Sequence, residues 1–152
     1  MGIKSIFKKY CEYRGYDDYS DDLVDKEYGD KDYFIYWHKN KIVAYTQLTR
    51  YNHSIVAGEF AWNYETPSLG LGTFAQNFEC LKYRELDFKY YYSSYAYEKI
   101  CDYKSHYNGF EWWTGRDWSD DKHIFRELII KDSEVKSLED LHNRHKEYYQ
   151  KR

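Results

Sequence analysis

A chain of 152 residues with 26 acidic and 23 basic side chains and a formal net charge of -3 is sized for a single domain over residues 1–152. It lacks the clustered cationic surface that broad phosphate binding demands. Three cysteines outside any CxxC spacing give neither a disulfide framework nor a zinc knuckle. No apolar run approaches the ~18 residues of a membrane helix, and charges stand at the N-terminus where a signal peptide needs its apolar core. A cytoplasmic protein with reduced thiols and no membrane contact is expected. With 42% hydrophobic residues and 20 tyrosines, much of the core must be built from rings whose hydroxyls need partners.

In chain order, Ile3, Ile6, Phe7 and Tyr10 recur at helical spacing and Gly15 stands where the helix should stop. Lys4, Lys8, Lys9 and Arg14 make one terminus basic, and Arg144, Lys146, Lys151 and Arg152 the other; both read as solvated helix faces. From Asp17 to Asp32 the chain is acidic, but no register supplies the alternating ligands, glycine and closing glutamate of an EF-hand, so a solvated loop or short polar helix is expected. The runs 33–37 and 42–48, β-branched and aromatic and separated by His38 to Lys41, predict an antiparallel hairpin. Residues 54–64 predict a third strand, with Gly58 marking a bulge or a close backbone approach. A turn follows over Glu65 to Gly72, then a helix from Thr73 whose apolar face is expected to carry Phe74, Phe78 and Leu81, with Gln76, Glu79, Lys82 and Arg84 on its other face.

Phe88 to Ala96 reads as a further strand and Glu98 to Tyr107 as a helix. Gly109 to Asp121 is turn-rich and holds three of the five tryptophans. Ile124 to Ile130 reads as a last strand, and Ser137-Leu-Glu-Asp140 opens a final helix in the manner of a capping box. His142 and His145 sit three apart with no third ligand, so no metal is assigned. The fold class expected is α+β, a mixed and mostly antiparallel sheet with helices packed on its faces.

The chemistry concentrates at Pro67-Ser-Leu-Gly70-Leu-Gly72, where a strand gives way to a helix. Free N–H groups at the positive end of the helix dipole attract phosphate there, and glycines let an anion reach the backbone. This order resembles the GNAT acyltransferase superfamily, whose turn has the form Gln/Arg-x-x-Gly-x-Gly/Ala; Gly70 and Gly72 match, and Pro67 stands in the place of the Gln or Arg. A closer resemblance is to the C-terminal half of arginyl-tRNA-protein transferases. It is carried by YFIYWHKNKIVAYTQL (33–48), SIVAGEFAWNYETPS (54–68), LGTFAQNFECLKY (71–83) and YYYSSYAYEKICDYKSHY (90–107), with Tyr103 and Lys104 as the Tyr-Lys pair. The cysteine-rich N-terminal cluster of that family is absent, and this chain is shorter.

The resemblance implies a GNAT-like fold and transfer of an aminoacyl group from aminoacyl-tRNA to an amine, such as a protein N-terminus or a small amine. No tightly bound cofactor is implied, and the tRNA 3′ end is the implied partner. The donor would lie on Leu69, Gly70, Leu71, Gly72, Thr73 and Phe74, with Lys104 pairing to a phosphate or carboxylate. Glu59, on the strand before the turn, is the expected general base; Tyr97 and Tyr103 are the expected acids; backbone N–H groups around Ser93 and Ser94 are the expected oxyanion donors. Two alternatives stay open: acyl-CoA as the donor of an N-acetyltransferase, and a GNAT-like module that binds without catalysing. The cluster of Trp112, Trp113 and Trp118 beside Arg116 reads as core packing, with base stacking as the alternative.

Overall fold

A computed structural model of the chain describes residues 2–16, 31–65, 67–94, 98–140 and 142–143. Residues 1–94 and 95–152 form two compact units. The acidic run 17–30, Tyr97, His145 and the basic residues from Arg144 onward lie outside the described residues.

The first unit opens with helix α1 (Ile3–Arg14), which buries Ile6, Phe7 and Cys11 and ends where Gly15 turns left-handed at φ 69°. Strands β1 (Lys31–His38) and β2 (Lys41–Tyr51) pair antiparallel through a two-residue turn, Lys39 and Asn40 both at positive φ. β2 pairs antiparallel with β3 (Ser54–Trp62) through Asn52 and His53. After a short 3-10 turn over Pro67–Leu69 comes helix α2 (Leu71–Glu85), then β4 (Tyr90–Tyr92), which pairs parallel with β3. The sheet order is β1-β2-β3-β4, an open and mostly antiparallel sheet in an α+β fold, as the sequence predicts.

Alternation along β2 decides the layering. Tyr45 faces α1 and packs with Ile6, Phe7, Cys11 and Ala61. Ala44 faces α2 and packs with Tyr36, Leu71 and Ala75, while Leu48 meets Ile55 and Tyr83. The sheet is therefore covered by one helix on each side.

Helix α2 is turned relative to the sequence expectation. Its buried stripe is Leu71, Ala75, Glu79 and Tyr83, spaced four residues apart, with Phe78 partly covered. Phe74 and Leu81, expected inside, are 55% and 58% exposed. Glu79, expected on the solvent face, is 1% exposed. It can be buried because three hydroxyls serve it: Tyr36 Oη donates to Oε1 at 2.6 Å, Thr46 Oγ1 donates to the same oxygen, and Tyr91 Oη donates to Oε2 at 2.6 Å. At the other end of α2, Tyr83 Oη donates to Asp32 at 2.6 Å, and Arg50 gives the same carboxylate two hydrogen bonds at 2.5 and 2.8 Å. Burial works to raise the Asp32 pKa, but the bonds from Arg50 and Tyr83 outweigh it and hold the carboxyl below its ordinary value.

The described part of the second unit includes a helix of 3-10 type over Lys99–His106, within the span where the sequence predicts a helix. Next comes a small hairpin of β5 (Trp112–Trp113) and β6 (Trp118–Ser119), then helix α3 (Lys122–Asp132). Helix α3 replaces the strand expected over Ile124 to Ile130. The Asp121 side chain accepts hydrogen bonds from the N–H groups of His123 and Ile124, both at 3.0 Å, and so caps a helix. Phe125 and Ile129, one turn apart, enter the core together, and Glu127 pairs with Lys131 at 2.6 Å along the exposed side. Isoleucines at 124, 129 and 130 favour a strand by propensity, but the cap and the four-residue spacing win. At the end of the described chain Ser137 Oγ accepts from the Asp140 N–H at 3.1 Å, the expected helix start, and Leu138 to Asp140 are helical.

Among the described residues no helix is long and apolar enough to cross a membrane.

Replacement of Glu79 by alanine is expected to lower the unfolding free energy by about 3 kcal/mol or more, roughly 1 kcal/mol for each hydroxyl left without its acceptor. Urea denaturation measures this, and a loss under about 1 kcal/mol would show that the three hydroxyls find other partners.

Candidate functional site in the first unit

β3, α2 and β4 form a parallel strand-helix-strand unit in which the ladder between the strands is short. It pairs Ser54 with Tyr90, Ile55 with Tyr91 and Val56 with Tyr92, and there it stops, while β3 continues to Trp62. Among the described residues, β3 has no ladder partner on the β4 side over Ala57 to Trp62.

β3 also changes register where that partnership ends. Thr46 pairs with Phe60 but Leu48 pairs with Ala57, so Gly58 and Glu59 together face Gln47 in a bulge. This meets the expectation at Gly58, and its cause is steric: a Cβ there would lie 3.1 Å from the carbonyl oxygen of Gln47.

The bulge sets the position of Glu59. Its carboxylate accepts a hydrogen bond from Tyr45 Oη, and Tyr45 is itself fully buried. Burial lifts the Glu59 pKa above the ordinary glutamate value, although the Tyr45 hydroxyl and the charge of Lys31 oppose the shift. The Tyr45 hydroxyl is held protonated by burial and by the carboxylate beside it, so it stays a donor. Burial and the nearness of Glu59 also raise the Cys11 thiol.

At the far end of β3 the chain is anchored before it turns. Tyr64 stacks on Tyr13 of α1 with ring centroids 4.0 Å apart, and Glu65 pairs with Lys9 at 3.1 Å. Within the turn, the Gly70 N–H bonds to the Pro67 carbonyl at 3.1 Å, and the Gly70 carbonyl accepts from the Phe74 N–H at 3.1 Å. Gly70 is left-handed at φ 56° and provides no side-chain cap for α2, a conformation that favours glycine. The N–H groups of Leu71, Gly72 and Thr73 therefore open α2 without a hydrogen-bond partner among the described residues.

The six expected donor residues divide by role. Leu69 and Leu71 pack into the core beside Trp62, Phe60 and Ala75 and fix the turn from below. Gly70, Gly72 and Thr73 are exposed, and a Cβ on Gly72 would meet only Phe60, at 3.9 Å. Phe74 lies on the surface, stacked on Phe78 at 6.0 Å.

Ser93 is half-buried just beyond β4, and Ser94 is left-handed at φ 63°. Tyr103 and Lys104 belong to the second unit. Tyr103 is 47% exposed with its ring edge-on to Tyr107. Lys104 is 6% exposed, and burial lowers its pKa. The structure thus brings Glu59, the turn amides and Ser93 into one unit and assigns Tyr103 and Lys104 to the other.

Two residues that shape this unit had no such role in the sequence expectation. Tyr45 orients Glu59, and Glu79 ties β4 to α2. The four-residue stripe Leu71, Ala75, Glu79 and Tyr83 was a readable signal for Glu79; Tyr45 gave none, standing among 20 tyrosines.

Tyr45→Phe removes the one hydrogen bond that lowers the Glu59 pKa, so the carboxyl is expected to titrate at a still higher pH than in the parent protein. A carbon-detected NMR titration of the Glu59 carboxyl measures this, and a downward move would contradict the placement of the hydroxyl.

Comparison with family models, with curated proteins and with solved structures finds no match to this chain.

Proposed function

We propose that the chain is a GNAT-like acyltransferase that moves an acyl group from a phosphate-bearing donor to an amine. The leading donor is aminoacyl-tRNA, as the sequence resemblance implies. The observation that carries the proposal is the β3-α2-β4 unit, in which a parallel ladder ends early beside a bulged strand and the intervening helix begins with open amides. On this reading the unit would serve three needs of acyl transfer: the α2 amides as an anion seat, the edge of β3 as the course of an extended acyl arm, and Glu59 on that strand as the carboxylate.

The reaction asks little of the protein. The donor carbonyl is already activated, so the amine attacks it, a C–N bond forms, and the bond from the carbonyl carbon to the leaving oxygen breaks. The amine must shed a proton, and Glu59 accepts it as general base. Burial of Glu59 raises its affinity for that proton, while the Tyr45 hydroxyl fixes its orientation. Main-chain N–H groups along the open edge of β3 and around Ser93 are the proposed donors to the oxyanion. Leu71, Gly72 and Thr73 N–H groups, at the positive end of α2, are the proposed seat for the donor phosphate. Tyr97, Tyr103 and Lys104 keep the roles proposed from the resemblance, acids and anion partner.

Acyl-CoA is the second reading of the donor, because its pyrophosphate would suit the same amides. Hydrogen exchange over residues 69–74 distinguishes the two. Protection by a mixture of charged tRNAs and not by acetyl-CoA supports aminoacyl transfer. The reverse pattern assigns an acyl-CoA enzyme, and protection by neither overturns the proposal.

Two variants separate binding from chemistry. Gly72→Val, whose Cβ would meet only Phe60, at 3.9 Å, is expected to keep the parent melting temperature and to lose donor protection, since the branched side chain shields the amides.

Glu59→Gln is expected to keep donor protection and to lower kcat by about 10²–10⁴-fold, the usual worth of a positioned base. In the parent enzyme the rate should fall as pH drops through the raised Glu59 pKa, because protonation removes the base; a rate that is flat with pH across that interval assigns the base elsewhere.

A further inference from the structure

The second unit displays its tryptophans instead of burying them all. In the β5-β6 hairpin, Trp112 pairs with Ser119 and Trp113 with Trp118. Phe110 and Trp112 both pack on Phe125, at 4.8 and 6.0 Å between ring centroids. Alternation along the strand then turns Glu111 and Trp113 away from that core. Trp118, opposite Trp113, shares its outward face, and the two indoles lie 5.5 Å apart while remaining 53% and 51% exposed. Glu111 and Asp120 flank them, both exposed, with no ion pair among the described residues.

Two cations close to the hairpin have partners among the described residues. Arg116, at the hairpin tip, pairs with Asp117 at 3.1 Å, and Lys122 donates to the Tyr107 carbonyl at 3.3 Å. The hairpin is held rigid for display: the Thr114 N–H bonds to the Asp117 carbonyl at 3.0 Å, and Thr114 Oγ1 accepts from the N–H groups of Arg116 and Asp117.

We infer that this face is a docking surface for a peptide segment bearing lysine or arginine side chains. Indole faces attract cations through their quadrupole, and Glu111 and Asp120 supply two charges of the complementary sign, neither of them in an ion pair among the described residues. A phosphate backbone would be repelled by those two carboxylates, so charge disfavours a nucleic acid here. The surface lies wholly within the second unit and its argument is independent of the acyl-transfer reading.

The test uses the full chain labelled with nitrogen-15 and follows the indole N–H signals. The probes are a synthetic peptide alternating lysine and arginine with glycine, the same peptide with glutamate at the charged positions, and single-stranded oligoadenylate. The basic peptide is expected to shift Trp113 and Trp118 selectively, with an affinity that falls as salt rises. Glu111→Gln combined with Asp120→Asn leaves the indoles and the hairpin bonds in place and is expected to weaken binding about threefold to tenfold and flatten the salt dependence. Trp113→Leu is expected to weaken it about two- to fivefold. No shift with the basic peptide, equal shifts with the glutamate peptide, preference for the oligoadenylate, or binding indifferent to the charge variant would each overturn the inference.

Discussion

The buried carboxylate of Glu79 is the constraint on which the first unit depends. It collects a hydroxyl from each of three strands, Tyr36 of β1, Thr46 of β2 and Tyr91 of β4, and thereby ties α2 to the sheet at a point where aliphatic packing alone would leave polar atoms stranded. For β4 this tie matters most. A parallel ladder of three residue pairs is a weak attachment, and the Tyr91 hydroxyl adds a second one through the helix. β4 is thus held by its side chain as well as by its ladder, which among the described residues ends at Val56.

The same device recurs across the sheet. Tyr45 serves Glu59 and Tyr83 serves Asp32, each ring buried in the core and each hydroxyl directed to a carboxylate. Burial and the adjacent negative charge push these phenols, with Tyr36 and Tyr91, to higher pKa values, so they act as donors. The low mean hydropathy of -0.99 is thus compatible with a dense core: tyrosine supplies the apolar area and carries its own means of satisfying buried acids.

Rigid and open features are distributed unevenly around the turn. Below it, Leu69 and Leu71 enter the core; behind it, Tyr64 and Glu65 are fastened to α1. Above it, Gly70 and Gly72 keep side chains away from the first amides of α2. A segment anchored on two sides and bare on the third would need little further ordering to receive the proposed donor at its backbone. The bulge at Gly58 has a comparable effect on Glu59, because an extra residue in β3 re-aims its carboxylate toward Tyr45.

Local signals in the sequence determined much of this protein. The stop at Gly15, the hairpin turn at Lys39-Asn40 and the strand-to-helix turn at Gly70 each rest on one or two residues at positive φ, and the bulge at Gly58 on a close backbone approach; each is where the sequence predicts it. What tertiary structure decided was the facing of side chains and the competition between propensities. Helix α2 turned Glu79 inward because hydroxyls from three strands converge on it; the four-residue spacing with Leu71, Ala75 and Tyr83 hints at that face, but only the tertiary structure supplies the hydroxyls that let a carboxylate occupy it. Residues 124–130 became helical because Asp121 caps them and Phe125 and Ile129 find one core together, although their isoleucines favour a strand. Glu59 was legible as a strand carboxylate, but its partner Tyr45 was not, since only the register between β2 and β3 selects one tyrosine from among 20. Local chemistry fixes where a chain turns; long-range pairing fixes which of its polar groups are taken inside.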